Sequence, residues 1–130
     1  MRRRNKYRVA APEARRWNGR TYASKGEMEC AQYLNTLQQA GEIVEIVDQP
    51  RLWLGVPENV YVPDFLVIPA TGTPYYIDFK GIETPQFRRI RKLWAAYGRL
   101  PLHVMEKKRG RIGTRDIIPA SCRTDHHAPR

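Results

Sequence analysis

Long hydrophobic runs are missing from this 130-residue sequence: no apolar stretch approaches the ~18 residues that span a bilayer, and the charged start MRRRNKYRV is not followed by an apolar segment. A membrane-spanning or secreted chain is therefore not expected; the expectation is a soluble, cytoplasmic protein with no membrane partner. Cysteine is scarce. Cys30 and Cys122 are far apart and in dissimilar contexts, which argues against a structural disulfide and fits a reducing compartment. Also missing are internal repeats, heptads and a glycine-rich phosphate loop, so solenoids, coiled coils and P-loop nucleotide chemistry drop out. Acid is under-represented: 13 Asp and Glu face 23 Lys and Arg, leaving a net charge of +10. Such an excess attracts polyanions, and nucleic acid is the commonest one in a cell.

The remaining composition, 42% hydrophobic, is enough for one globular domain and too short for two. Residues 1–20 carry Arg2, Arg3, Arg4, Lys6, Arg8, Arg15, Arg16 and Arg20, and this density of charge predicts a basic amino-terminal arm able to lie along phosphates. Residues 21–106 read as the folded core, and residues 107–130 as a second basic tail containing Lys107, Lys108, Arg109 and Arg111. Cys122, Asp125, His126 and His127 superficially suggest a metal site. Adjacent histidines diverge, however, and make a poor tetrahedral zinc set.

Within the core, Ser24-Lys25-Gly26-Glu27 matches a capping box and predicts a helix from Lys25 to Ala40, stopped by Gly41. Glu27 falls on the apolar face with Met28, Cys30, Ala31, Leu34 and Leu37, whereas Glu29 falls outside it. Glu27 thus reads either as the capping-box partner or as a carboxylate presented to a sheet, and the two roles are compatible. Ile43 to Val47 predicts a strand, broken by Gln49-Pro50 and resumed at Arg51 to Leu54.

Val60 to Gly81, VYVPDFLVIPATGTPYYIDFKG, then reads as two strands joined by a Thr-Gly-Thr-Pro turn. Period-two alternation puts Asp64 on one face with Val62, Leu66 and Ile68, and sets Asp78 and Lys80 on one face together. Pairing the strands brings Asp64 toward Asp78. Thr84-Pro85 opens a second helix whose apolar stripe is Phe87, Ile90, Leu93, Trp94 and Tyr97 and whose other side carries Arg88, Arg89, Arg91 and Lys92. Pro101 to Met105 predicts a further strand, parallel to the Tyr75–Lys80 strand because a helix intervenes.

Asp64 and Asp78, with an inward Glu27 and the carbonyl of Phe79, supply hard oxygen ligands suited to Mg²⁺, with Mn²⁺ able to substitute. Lys80 beside such a metal would stabilise charge on a phosphodiester undergoing attack. The ordered segments SKGEMECAQYL, GEIVEIVDQP, VYVPDF and IDFKGIET resemble the PD-(D/E)XK nuclease superfamily, and within it the small phage-encoded endonucleases and Holliday-junction resolvases.

The resemblance runs from about Thr21 to Met105 and implies an α/β, restriction-endonuclease-like core of αβββαβ order. In such a core a mixed sheet is flanked by helices, with basic arms outside. It implies Asp64 and Asp78 as metal ligands, Lys80 as catalytic and Glu27 as completing the site, with Lys25 and Gln49 nearby. It also implies a homodimer acting on branched DNA; the sequence itself suggests no dimer surface directly, although Trp53, Leu54 and Val56 beside the hairpin are candidate exposed apolar residues. Gly26 departs from the pattern, since a better helix former is expected beside the glutamate, and this leaves Glu29 as an alternative to Glu27.

Overall fold

The computed structural model describes residues 9–122. A 3-10 turn at Pro12–Arg15 leads into a small hairpin, β1 (Arg16–Trp17) and β2 (Arg20–Thr21), followed by helix α1 (Lys25–Gln39) and strand β3 (Ile43–Asp48). Next come β4 (Leu52–Trp53), β5 (Val60–Tyr61), β6 (Phe65–Pro69), β7 (Tyr75–Phe79), helix α2 (Pro85–Tyr97), β8 (Leu102–Lys108) and β9 (Arg111–Ile118).

Both helices begin where side-chain caps allow. Ser24 Oγ accepts the Glu27 backbone N–H at 3.0 Å, and Thr84 Oγ1 accepts that of Phe87 at 3.2 Å ahead of Pro85. The main sheet has the order β3-β6-β7-β8-β9 and is mixed: β7 and β8 pair parallel across the α2 crossover, and the other neighbours pair antiparallel. The chain is therefore a mixed α/β fold. Among the described residues, no helix is long and apolar enough to cross a membrane.

Strand alternation gives the sheet two apolar faces. Phe65, Val67 and Ile77 pack with Met28, Cys30, Ala31 and Leu34 of α1, while Leu102, Val104 and Ile118 pack with Phe87 and Trp94 of α2. Tyr76, between Ile77 and Tyr75, belongs to the α2 side. A helix thus covers each face, the arrangement that lets an interior sheet read as apolar on both sides.

Three departures from expectation have physical causes. Residues from Pro12 to Thr21 are not a bare arm: they turn and pair, and Trp17 packs against the α1-side core while Arg15 donates to the carbonyls of Ala10 and Tyr22. The stretch after Met105 is likewise not a tail through its described part, because β8 continues to Lys108 and turns through Arg109-Gly110, both at positive φ, into edge strand β9. Finally, the Val60 strand divides: β5 leaves the main sheet and pairs with β4, so Leu54 is buried at 2% exposure while Trp53 is exposed at 59%. Leu54 therefore drops out of the expected apolar surface, and Trp53 and Val56 remain on it.

Candidate functional site

The register of β6 with β7 pairs Phe65 with Ile77. Stepping back one residue on β6 and forward one on β7 sets Asp64 beside Asp78, as period-two alternation requires. Asp64 Oδ2 accepts the Phe79 backbone N–H at 2.7 Å, which fixes its carboxyl across the end of β7. Asp78 is only 4% exposed, and its Oδ2 accepts the Tyr61 hydroxyl and lies 3.2 Å from Lys80 Nζ. Lys80 Nζ in turn sits 4.7 Å from the centre of the Phe87 ring. A cleft of about 270 Å³ opens beside it, lined by Tyr61, Lys80, Thr84 and Phe87 among others.

The start of α1 points into this arrangement from the other face. Glu27 is 5% exposed, and its Oε1 has no hydrogen-bond partner among the described residues. The backbone half of a capping box, Glu27 N–H to Ser24 Oγ, is made, and the Glu27 carboxyl reaches back to the backbone at Ala23, one residue before the cap. Glu29 is different, since its Oε2 lies 2.7 Å from Lys107 Nζ. Gly26 lets α1 approach closely: a Cβ there would lie 2.3 Å from the Phe79 ring, so a larger residue would have to displace that ring, which accounts for the residue that looked unfavourable for helix propensity.

The electrostatics follow from three acids in a dry place. Burial, then the charges of Asp78 and Glu27, push Asp64 up to about 9. Burial also raises Glu27, with Asp78 and Asp48 adding to the effect and the Arg20 guanidinium opposing it. Burial and the charge of Asp78 raise the Tyr61 phenol, which keeps it a proton donor to that carboxylate.

Of the flanking candidates, Gln49 is close in backbone: its N–H donates to the Asp64 carbonyl at 2.9 Å, held at φ 49°. Lys25 is exposed on the first turn of α1. Along α2, Arg88 and Lys92 are exposed, Arg89 donates to Asn59 Oδ1 at 2.8 Å, and Arg91 is committed to Glu83 and to Asp116 Oδ2 at 2.6 Å. Lys108, Arg109 and Arg111 are exposed at the β8–β9 turn. Arg2, Arg3, Arg4 and Lys6, like Asp125, His126 and His127, lie outside the described residues.

Sequence reasoning missed Tyr61 and Arg20. Tyr61 carried a signal, a hydroxyl in an otherwise aliphatic VYV run that burial obliges to find a partner. Arg20 read as one of many arm charges, yet it pairs with Asp48 at 2.8 Å and bears on Glu27.

Among the described residues, no three His, Cys, Asp or Glu side chains are grouped as a set of metal ligands. Residues 4–109 match the model of a family described as "Protein of unknown function (DUF1064)", and the chain belongs to that family. No curated protein and no solved structure matches it.

Proposed function

We propose that the protein is a metal-dependent DNA endonuclease with a PD-(D/E)XK-type core. The observation that carries this reading is the convergence of Asp64, Asp78 and Lys80 at the end of two paired strands, with a buried Glu27 that has an unpartnered oxygen. The order α1, β3, β6, β7, α2, β8 also supports it, because it is the αβββαβ order of that superfamily.

The donor chemistry of these residues suits a hard divalent cation, although among the described residues the three carboxylates are not drawn together as a ligand set. An orphaned carboxylate oxygen and an Asp64 that resists ionising are what a cluster of acids shows when a compensating positive charge is needed. Asp64, Asp78, Glu27 and the Phe79 carbonyl would hold Mg²⁺, or Mn²⁺ in its place. Such an ion, when bound, acidifies a water and polarises a phosphoryl oxygen. Tyr61 fixes the Asp78 carboxylate by its hydrogen bond, and the Phe79 N–H fixes Asp64. Lys80 lines the cleft, where its ammonium would meet the charge that builds on a phosphate oxygen under attack. Exposed Arg88 and Lys92 on α2, with Lys108, Arg109 and Arg111, offer contacts to the DNA backbone.

The sequence resemblance points further, to branched DNA cut by a homodimer whose two sites make symmetric incisions. One observation favours a second reading. Asp78 is already satisfied by Tyr61 and Lys80, as it would be in a non-catalytic DNA-binding module.

Incubating the protein with labelled four-way, flap and linear duplex DNAs, in Mg²⁺ or in EDTA, separates these readings. The expected result is Mg²⁺-dependent cutting, fastest on the four-way junction and absent in EDTA. Equal cutting of linear duplex would move the protein to a nicking or end-processing role. Binding with no cutting of any substrate would leave the non-catalytic module.

A further inference from the structure

Apart from the carboxylate cluster, the α2 side of the sheet holds a cavity of about 430 Å³, within the usual size of small-molecule sites. Its walls are Trp53, Tyr76, Trp94 and Tyr97, and Arg51 and Arg99 stand at its rim. The walls differ in role. Trp94 is fully buried, spends its indole N–H on the Leu100 carbonyl at 2.9 Å and meets Tyr76 edge-on, with ring centres 5.6 Å apart, so together they form a rigid apolar floor. Trp53, by contrast, keeps 59% of its surface exposed. Tyr97 is held from behind by Gly55, at φ +92°, where a Cβ would lie 2.7 Å from its ring.

A cavity walled by aromatic rings favours an aromatic ligand, and exposed guanidinium groups lining it favour one that carries negative charge. A nucleotide has both properties. The cavity also lies where a bound strand would run. Tyr76 on its wall is two residues before Asp78 on β7, roughly 7 Å along the strand, and Tyr61 touches both the Trp94 ring, edge-on at 6.1 Å, and the Asp78 carboxylate.

We propose that this cavity receives one unpaired base of a DNA strand, with the neighbouring phosphates on Arg51 and Arg99. The inference rests on the DNA-binding part of the proposed function but not on cleavage. A second copy of the chain fits the face less well. Among the described residues lining the cavity none is acidic, so an isologous contact would bring Arg51 toward like charge on the second copy.

The test is DNA binding in EDTA, read by anisotropy and by 2-aminopurine fluorescence. The probes are a duplex with one bulged 2-aminopurine and the same duplex fully paired. Trp53→Ala should weaken binding to the bulged duplex about 10-fold, within the range for loss of one stacked base, and leave the paired duplex within about 2-fold. Trp53→Phe should restore the preference. Arg51→Gln, a surface change that keeps the test open if Trp53→Ala does not fold, should weaken bulged-duplex binding and lower its salt slope by about 1.

Equal losses on both duplexes, or no loss on either, would overturn the proposal. So would a dimer that dissociates on Trp53→Ala while DNA affinity is unchanged, which would give the face to a second copy. Because no cutting is read, a protein that prefers the bulged duplex but never cleaves in Mg²⁺ would refute the nuclease reading alone.

Discussion

Asp78→Asn is expected to lower Mg²⁺-dependent DNA cleavage by at least about 10³-fold, ~4 kcal/mol of transition-state stabilisation, while DNA affinity stays level or rises. The separation of the two effects follows from what Asp78 touches. Its carboxylate accepts the Tyr61 hydroxyl and faces Lys80 at 3.2 Å. An asparagine has nearly the same shape and can still accept from Tyr61, so packing around β7 is retained. Lost are a negative charge for a divalent ion and the partner that positions Lys80. The same loss removes a charge that repels phosphate, so binding does not suffer. Gel assays of cleavage in Mg²⁺ and anisotropy in EDTA check the two halves separately; a variant that cuts like the wild type would remove Asp78 from the site.

Asp64→Asn should make the metal-free protein more stable at pH 9 than the wild type, with the difference shrinking toward acid. In the unfolded chain Asp64 releases its proton near the ordinary 3.8, whereas in the folded chain it holds the proton to about 9. Between those values the folded state binds more protons, so wild-type stability falls as pH rises and the loss is complete only above the folded value. The folded and unfolded values lie far apart, so a gain of several degrees in Tm is expected for the variant at pH 9. Asparagine keeps an acceptor for the Phe79 N–H and carries no charge to bury. Glu27 is raised as well, so some pH dependence persists in the variant. Urea unfolding at pH 6 and pH 9 measures both chains. Identical wild-type stability at the two values would contradict the electrostatic picture.

Local chemistry made much of the fold legible. The Ser24 and Thr84-Pro85 caps marked both helix starts, and alternation through Val60–Gly81 set Asp78 and Lys80 on one face, with strand pairing bringing Asp64 toward Asp78. Features that depend on distant partners were not legible. Strand β9 reads as a charged tail because its charges are matched far away, Asp116 by Arg91 and Arg115 by Glu106 and Glu83. Gly26 reads as a flaw in α1 until the Phe79 ring is seen against it. The division of Trp53 and Leu54 between surface and core depends on β5 pairing with β4 rather than extending β6. The aromatic cavity draws on β4, β7 and α2, segments that no local pattern connects.

The claim that Glu27, Asp64 and Asp78 hold a divalent ion is tested most directly by titration calorimetry with Mn²⁺ alone. The wild type should bind, Glu27→Gln, Asp64→Asn and Asp78→Asn should each weaken binding at least about 10-fold, and Glu29→Gln, whose carboxylate pairs with Lys107, should leave it unchanged. No binding by the wild type, or equal binding by all of these variants, would contradict the claim.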